Sequence, residues 1–355
     1  MRIPPYLQPG DCIGITAPSF GATTEPYITR FNEAVQKLRA RGYTLKIGAT
    51  CYKDDGLGIS TNPKVAAAEL MDFYLDKDTK AVFSCGGGEL MCETMSFVDF
   101  ERLKSAPPKW FMGFSDNTNF IHPLVTLCDT AAIYGHCITG FGKMWEQCET
   151  DTLSLIEGTG NTVRGYEAFE KPEKSDDDNN QEDIIEENPL APYKLTAKKE
   201  LKSFLPQSGG LIPAPESERI EAQGIMLGGC LDVLANLAGT RFDASAAFAA
   251  KHAPIIWALE ACDYNPMDIR RALWHLGECG WFTGASAFVI GRPLAAWEQE
   301  VLGVNQYNAV TDILARYSVP VIMDADIGHI APSMPLIMGA QAKLSVQGND
   351  IEIRF

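Results

Sequence analysis

Between residues 11 and 165 short apolar runs alternate with helical patterns: CIGITAP, EPYITRFNEAVQKLRARG, TLKIGA, NPKVAAAELMDFYLD, AVFSC, and onward in the same rhythm. That order predicts βαβ units and a parallel sheet, because neighbouring parallel strands need a long crossover and a helix is the usual one. The best-marked helix is 25–42, with Tyr27, Phe31, Ala34, Val35 and Leu38 at helical spacing and Gly42 as its stop. From about residue 208 the rhythm returns with strands IIWALE, AFVIGR and VPVIMD, separated by predicted helices 228–238, 266–279 and 304–317. The chain then closes on the strand pair AKLSVQ and DIEIRF around the turn Gly348-Asn349-Asp350.

Charge separates the two halves. The formal net charge is −16, and residues 167–187 carry ten acids against Lys171 and Lys174, a net of −8 that is half of the total. Such a segment has the composition of a solvated loop. The expected organisation is therefore an N-terminal α/β domain over 1–165, an acidic linker or lid over 166–207, and a smaller α+β or swivelling β/α domain over 208–355. An acidic surface excludes nucleic acid as a partner, since phosphate binding needs a basic face. No apolar run is long enough to span a bilayer, and the opening MRIPPYLQPGD, broken by three prolines, does not read as a signal peptide. Ten scattered cysteines without a C-x-x-C pair point to reduced thiols in a cytoplasm. Cys85 and Cys92 lie close in sequence, but no Cys/His cluster completes a metal site around them, so neither metal nor cofactor is expected.

The chemistry concentrates at PKWFMGFSDNTNF, residues 108–120. Ser115 falls where a short buried strand, Trp110 to Met112, meets a helix starting at Asp116 or Asn117. A strand-turn-helix corner exposes a hydroxyl and surrounds it with backbone N–H donors, as a nucleophilic serine requires. Gly113 allows a tight turn, although Asn117 stands where a G-x-S-x-G elbow has its second glycine. The other reading of Ser115 is a simple helix N-cap.

A serine nucleophile needs a base, and the chain has five histidines. His122, two turns into a helix and before Pro123, reads as structural, His252 as exposed, and His275 as packed against the core. His136, set among glycines, and His329, in a loop after an apolar strand, are the candidates. End-of-strand loops are where open α/β sheets keep reactive groups. Glu260 is the single acid in the apolar run PIIWALEAC; it either pairs with such a histidine, caps the next helix, or pairs with Arg270 or Arg271.

Six blocks in order resemble the LD-carboxypeptidases and the related microcin C immunity peptidases: GDCIGITAPS (10–19), AVFSCGGGEL (81–90), MGFSDNT (112–118), GIMLGGCLDVLANLAGT (224–240), LEACDYNPMDIRRAL (259–273) and DADIGHIAPSMPLIMGAQAKL (324–344). The resemblance implies a flavodoxin-like, class I glutamine amidotransferase-like N-terminal domain, a smaller C-terminal domain, and a Ser-Glu-His triad of Ser115, Glu260 and His329 assembled across their interface. It further implies an oxyanion hole from the N–H groups of Gly87 and Asp116, and a small peptide or peptidyl substrate, either a murein tetrapeptide or an aminoacyl-nucleotide. Gly88 and Glu89 depart from the usual glycine-rich loop, where an aromatic or small residue follows the Gly-Gly pair. Gly88, Tyr166, Phe169 and Tyr193 are the expected substrate contacts, and a homodimer is the expected assembly. A reading from another class is a non-catalytic two-lobed binding protein.

Overall fold

Cys12–Thr16, Thr79–Ser84 and Trp110–Gly113 carry the uninterrupted apolar runs CIGI, AVF and WFM, and a strand of that kind must be covered on both faces. The computed structural model, which describes residues 1–143, 145–172 and 188–355, places all three inside a six-stranded sheet. Its order is Thr44–Ile47, Cys12–Thr16, Thr79–Ser84, Trp110–Gly113, Ala132–Tyr134 and Leu336–Met338. The first five run parallel, and the last is antiparallel to its neighbour. The half-exposed Thr44–Ile47 takes the edge, as its mixed composition requires. The helix expected over 25–42 spans Tyr27–Ala40 and buries Phe31, Ala34, Val35 and Leu38. Tyr27, also expected on the buried face, is instead half exposed.

The second half forms a nine-stranded sheet. Arg219–Cys230, Ile255–Glu260, Ala285–Gly291 and Val321–Ala325 make its parallel centre, joined through helices Leu231–Leu237, Ser245–His252, Pro266–Glu278 and Asn308–Leu314. Gln341–Gln347 and Asp350–Arg354 form the expected hairpin on one side. The helix predicted over 228–238 starts only at Leu231, because Gly228 and Gly229 still belong to the long strand Arg219–Cys230.

Three segments cross the expected boundaries. Thr162–Arg164 pairs with Asp350–Arg354, and Lys202–Gln207 pairs with Val321–Ala325, so the second sheet draws strands from either side of the acidic segment. Leu336–Met338 crosses the other way and closes the first sheet against Ala132–Tyr134. Strands of three to six residues carry too little alternation to be read from sequence, and KSFLPQ is interrupted by Pro206. Within the presumed connector, Ala168–Phe169 pairs with Ala197–Lys198 and clamps its two flanks together. The central acids, residues 173–187, lie outside the described residues.

Candidate active site

The strand Trp110–Gly113 ends near the middle of the first sheet, and the chain there must reverse into the helix Thr118–Thr126 within a few residues. Gly113 makes this possible, because a Cβ at that position would lie 2.6 Å from the Cβ of Asn117. Ser115 takes φ +59°, in the left-handed region that a residue with a side chain adopts only under constraint. Asn117 supplies part of that constraint: its Nδ2 donates to the carbonyls of Phe114 and Gly86, both at 2.9 Å, tying the turn to the glycine-rich loop. The side chain of Asp116 accepts from Ser19 Oγ at 2.5 Å, from Met91 N–H and from Asn119 Nδ2. Strain at Ser115 is thus held by buried hydrogen bonds on both sides.

Glu260 is the last residue of Ile255–Glu260, and His329 follows Val321–Ala325 by four residues, so both sit at carboxyl ends of parallel strands in the second sheet. His329 Nε2 is 2.9 Å from Ser115 Oγ, and its Nδ1 is 2.8 Å from Glu260 Oε2. The second carboxylate oxygen accepts from the Tyr134 hydroxyl at 2.5 Å, and that hydroxyl in turn accepts from the backbone N–H of Ser115 at 3.2 Å. Burial, with Glu260 beside it, pushes the Tyr134 phenol well up, so it stays protonated and donates. Burial by itself would depress His329, but the Glu260 carboxylate reverses this and raises the imidazole well above its ordinary value. In the same pair, burial pushes Glu260 up, and His329 and Tyr134 more than offset it, leaving the carboxyl below its usual range. A hydroxyl, an imidazole and a carboxylate in this order can pass a proton from oxygen to ring while stabilising the ring's cation.

Ser115 and His329 open onto a cavity of about 650 Å³ between the two halves. Gly87 packs against the serine: a Cβ placed there would sit 3.3 Å from Ser115 Cβ. At Gly88 φ is +141° and a Cβ would meet Ser19 Oγ at 2.1 Å, so the departure from the usual loop residue leaves no room for a side chain. Arg30, Lys53 and Lys143 line the same cavity, as does Glu89, whose carboxyl is raised by burial and then by Asp263, Asp116 and Asp232.

Residues 13–135 match the model of the LD-carboxypeptidase N-terminal domain, and residues 223–344 match that of the LD-carboxypeptidase C-terminal domain. The chain belongs to the LD-carboxypeptidase family. Among its curated relatives is the microcin C7 self-immunity protein MccF of Escherichia coli, 24% identical over 98% of this chain and 94% of that protein. A Bacillus subtilis protein named as a murein peptide carboxypeptidase is 23% identical over 96% of this chain and 91% of its own length. Wild-type MccF without ligand superposes with a TM-score of 0.78 at 21% identity, covering 100% of this chain and 99% of that one. The muramoyltetrapeptide carboxypeptidase of Oxalobacter formigenes gives 0.64 at 19% identity, over 96% and 97%. These likenesses establish a shared mixed α/β fold built on a parallel sheet.

Within this LD-carboxypeptidase fold the remaining expected residues separate. Tyr193 lines the cavity. Tyr166 and Phe169 do not border it: the Tyr166 hydroxyl bonds Asp151 and its N–H bonds Asp326, while Phe169 packs on Trp297 and under the Arg292 guanidinium. Arg270 and Arg271 pair with Asp312 and Asp268, leaving Glu260 to His329. His122 is buried against Ser245 as a structural residue. His252, expected to be exposed, is half-buried and bonds Asp129, and His275, expected in the core, is likewise only half-buried. In the sequence Asn117 reads only as a departure from the elbow and Tyr134 is passed over, its partner Glu260 lying 126 positions away in the chain. His136, Cys148 and Glu149 converge, from positions too scattered in the sequence to read as a motif. Among the described residues no helix is long and apolar enough to cross a membrane.

Proposed function

We propose that this chain is a serine-type LD-carboxypeptidase. Ser115 attacks the amide carbonyl, His329 takes the hydroxyl proton and delivers it to the leaving amine, and Glu260 holds the imidazole tautomer and stabilises its cation. The N–H groups of Gly87 and Asp116 receive the oxyanion, and water then releases the acyl group by the same route. The observation that carries this reading is the unbroken chain Ser115 Oγ, His329, Glu260, with links of 2.9 and 2.8 Å at the mouth of a cavity. It favours catalysis over a two-lobed binding protein, which has no use for a strained, hydrogen-bonded serine.

The substrate we assign is a cell-wall tetrapeptide, with its terminal carboxylate read by the cationic wall of Arg30, Lys53 and Lys143. The names of the Bacillus subtilis and Oxalobacter formigenes relatives support it. A second reading, cleavage of an aminoacyl-nucleotide, is favoured by Tyr193, which offers an aromatic ring inside the cavity, and by MccF structures solved with aspartyl sulfamoyl adenosine. The strand order of the five parallel strands supports a flavodoxin-like N-terminal domain. Ten free thiols support a reducing cytoplasm.

Incubation with a murein tetrapeptide and, separately, with an aminoacyl sulfamoyl nucleotide, followed by mass spectrometry, tests the proposal. Release of the terminal amino acid from the tetrapeptide, lost in Ser115→Ala, is the expected result. Cleavage of the nucleotide alone would assign the second reading, and turnover of neither would return the chain to a binding role.

A further inference from the structure

Beside the cavity, three side chains from two elements meet in an arrangement that the proposed reaction does not use. His136 follows strand Ala132–Tyr134, and Cys148 and Glu149 lie in the first turn of helix Gln147–Glu157. A ring nitrogen of His136, Cys148 Sγ and a carboxylate oxygen of Glu149 all fall within 4.8 Å of one another. Cys148 and Glu149 are both 0% exposed, whereas His136 is half-buried and reaches the cavity wall. The group is chemically incomplete. Glu149 Oε2 accepts from the Glu146 N–H at 3.0 Å and from the Cys148 thiol at 2.9 Å, but Glu149 Oε1 and His136 Nε2 are buried without a hydrogen-bond partner. A buried polar atom left in that state costs about 1–3 kcal/mol, and more when it is charged, so it requires an explanation.

We propose that His136, Cys148 and Glu149 form a binding site for a divalent transition-metal ion of the zinc class. Imidazole, thiolate and carboxylate are the donor set such ions prefer, whereas magnesium and calcium take oxygen ligands. Bonds of about 2.0–2.3 Å put tetrahedral donors roughly 3.3–3.8 Å apart, so closure from the present separations needs on the order of 1 Å, within reach of side-chain rotation. As the ion enters, the Cys148 thiol gives its proton to solvent and the metal takes the place of that proton between Sγ and the carboxylate; no electrons are exchanged. Two anionic ligands then neutralise the ion, the orphaned oxygen and nitrogen gain a partner, and the fourth coordination position opens on the side where His136 meets the cavity.

Cobalt(II) titration of chelator-treated, reduced protein without a polyhistidine tag tests this directly, because a thiolate ligand gives an intense near-ultraviolet charge-transfer band. The expected result is saturation at one equivalent, reversal by zinc, loss of the band in Cys148→Ser, and affinity weakened about tenfold or more in Glu149→Gln and His136→Ala. Cys92→Ser, which removes an exposed thiol outside the cluster, should leave the titration unchanged. His136→Ala lies at the cavity wall and guards against a folding defect in the two buried variants, each checked by circular dichroism. Absence of a stoichiometric band, a band that survives Cys148→Ser, or undiminished affinity in His136→Ala would overturn the assignment.

Discussion

Replacing Tyr134 with Phe removes one oxygen from the middle of the site and keeps the ring that packs on Phe114 with centroids 5.3 Å apart. That oxygen links the backbone of Ser115 to the carboxylate of Glu260, with contacts of 3.2 Å to Ser115 N and 2.5 Å to Glu260 Oε1. Loss of a hydrogen bond to a buried charged group costs about 1.5–3 kcal/mol. Each 1.36 kcal/mol is a factor of ten in rate, so if the loss falls on the placement of Glu260 and of the Ser115 backbone for attack, kcat/KM drops about 10- to 150-fold. The sign of the pH effect follows from the same bond. Without the Tyr134 hydroxyl, carboxylate charge concentrates on the oxygen facing His329, the imidazole is held up further, and the acid limb of the kcat/KM profile moves to higher pH. The assay is steady-state hydrolysis of the preferred substrate across that limb, with thermal unfolding measured alongside. A variant that loses stability but keeps both its rate within twofold and its acid limb in place would show that Tyr134 only packs, and would refute the positioning role.

Ser115→Ala and His329→Ala should each lower kcat by about 10⁴-fold or more with the fold intact, the double variant being no worse than either, while His136→Ala is far milder; activity within tenfold of wild type in Ser115→Ala would remove it from the mechanism. In the wild type the base works only when neutral, and Glu260 raises His329 above its usual 6.5, so kcat/KM should climb with pH through a midpoint above that value. Glu260→Gln removes the largest influence holding His329 up and leaves burial opposed only by Cys262, so the midpoint should move down while kcat falls about 10⁴-fold; a stationary midpoint would show that Glu260 does not set it. Exchanging residues 171–187 for a Gly/Ser linker of equal length should leave kcat/KM within a few fold on every substrate, because the flanks are already clamped by Ala168–Phe169 and Ala197–Lys198. A loss confined to bulky or nucleotide-bearing substrates would make the segment a lid.

Sequence alone determined what contiguous residues can express. The alternation of apolar strands and helices over 11–165 dictated the parallel sheet, because burial on both faces is written into each run. The Gly113-Phe114-Ser115 corner, the acid that ends one strand and the histidine in the loop after another were legible for the same reason. Tertiary structure decided what depends on residues far apart in the chain. The His329 bonds span 69 and 214 positions, and the Tyr134 to Glu260 bond spans 126. Leu336–Met338 joins the first sheet because a short strand pairs wherever an open edge leaves room for it, while Tyr166 is held by Asp151 and Asp326 and Phe169 by Trp297 and Arg292, outside the cavity. Periodicity fixes which face of a segment is buried. Only packing fixes what that face meets, which is why Tyr134 at the triad and the convergence of His136 with Cys148 and Glu149 emerged from the fold alone.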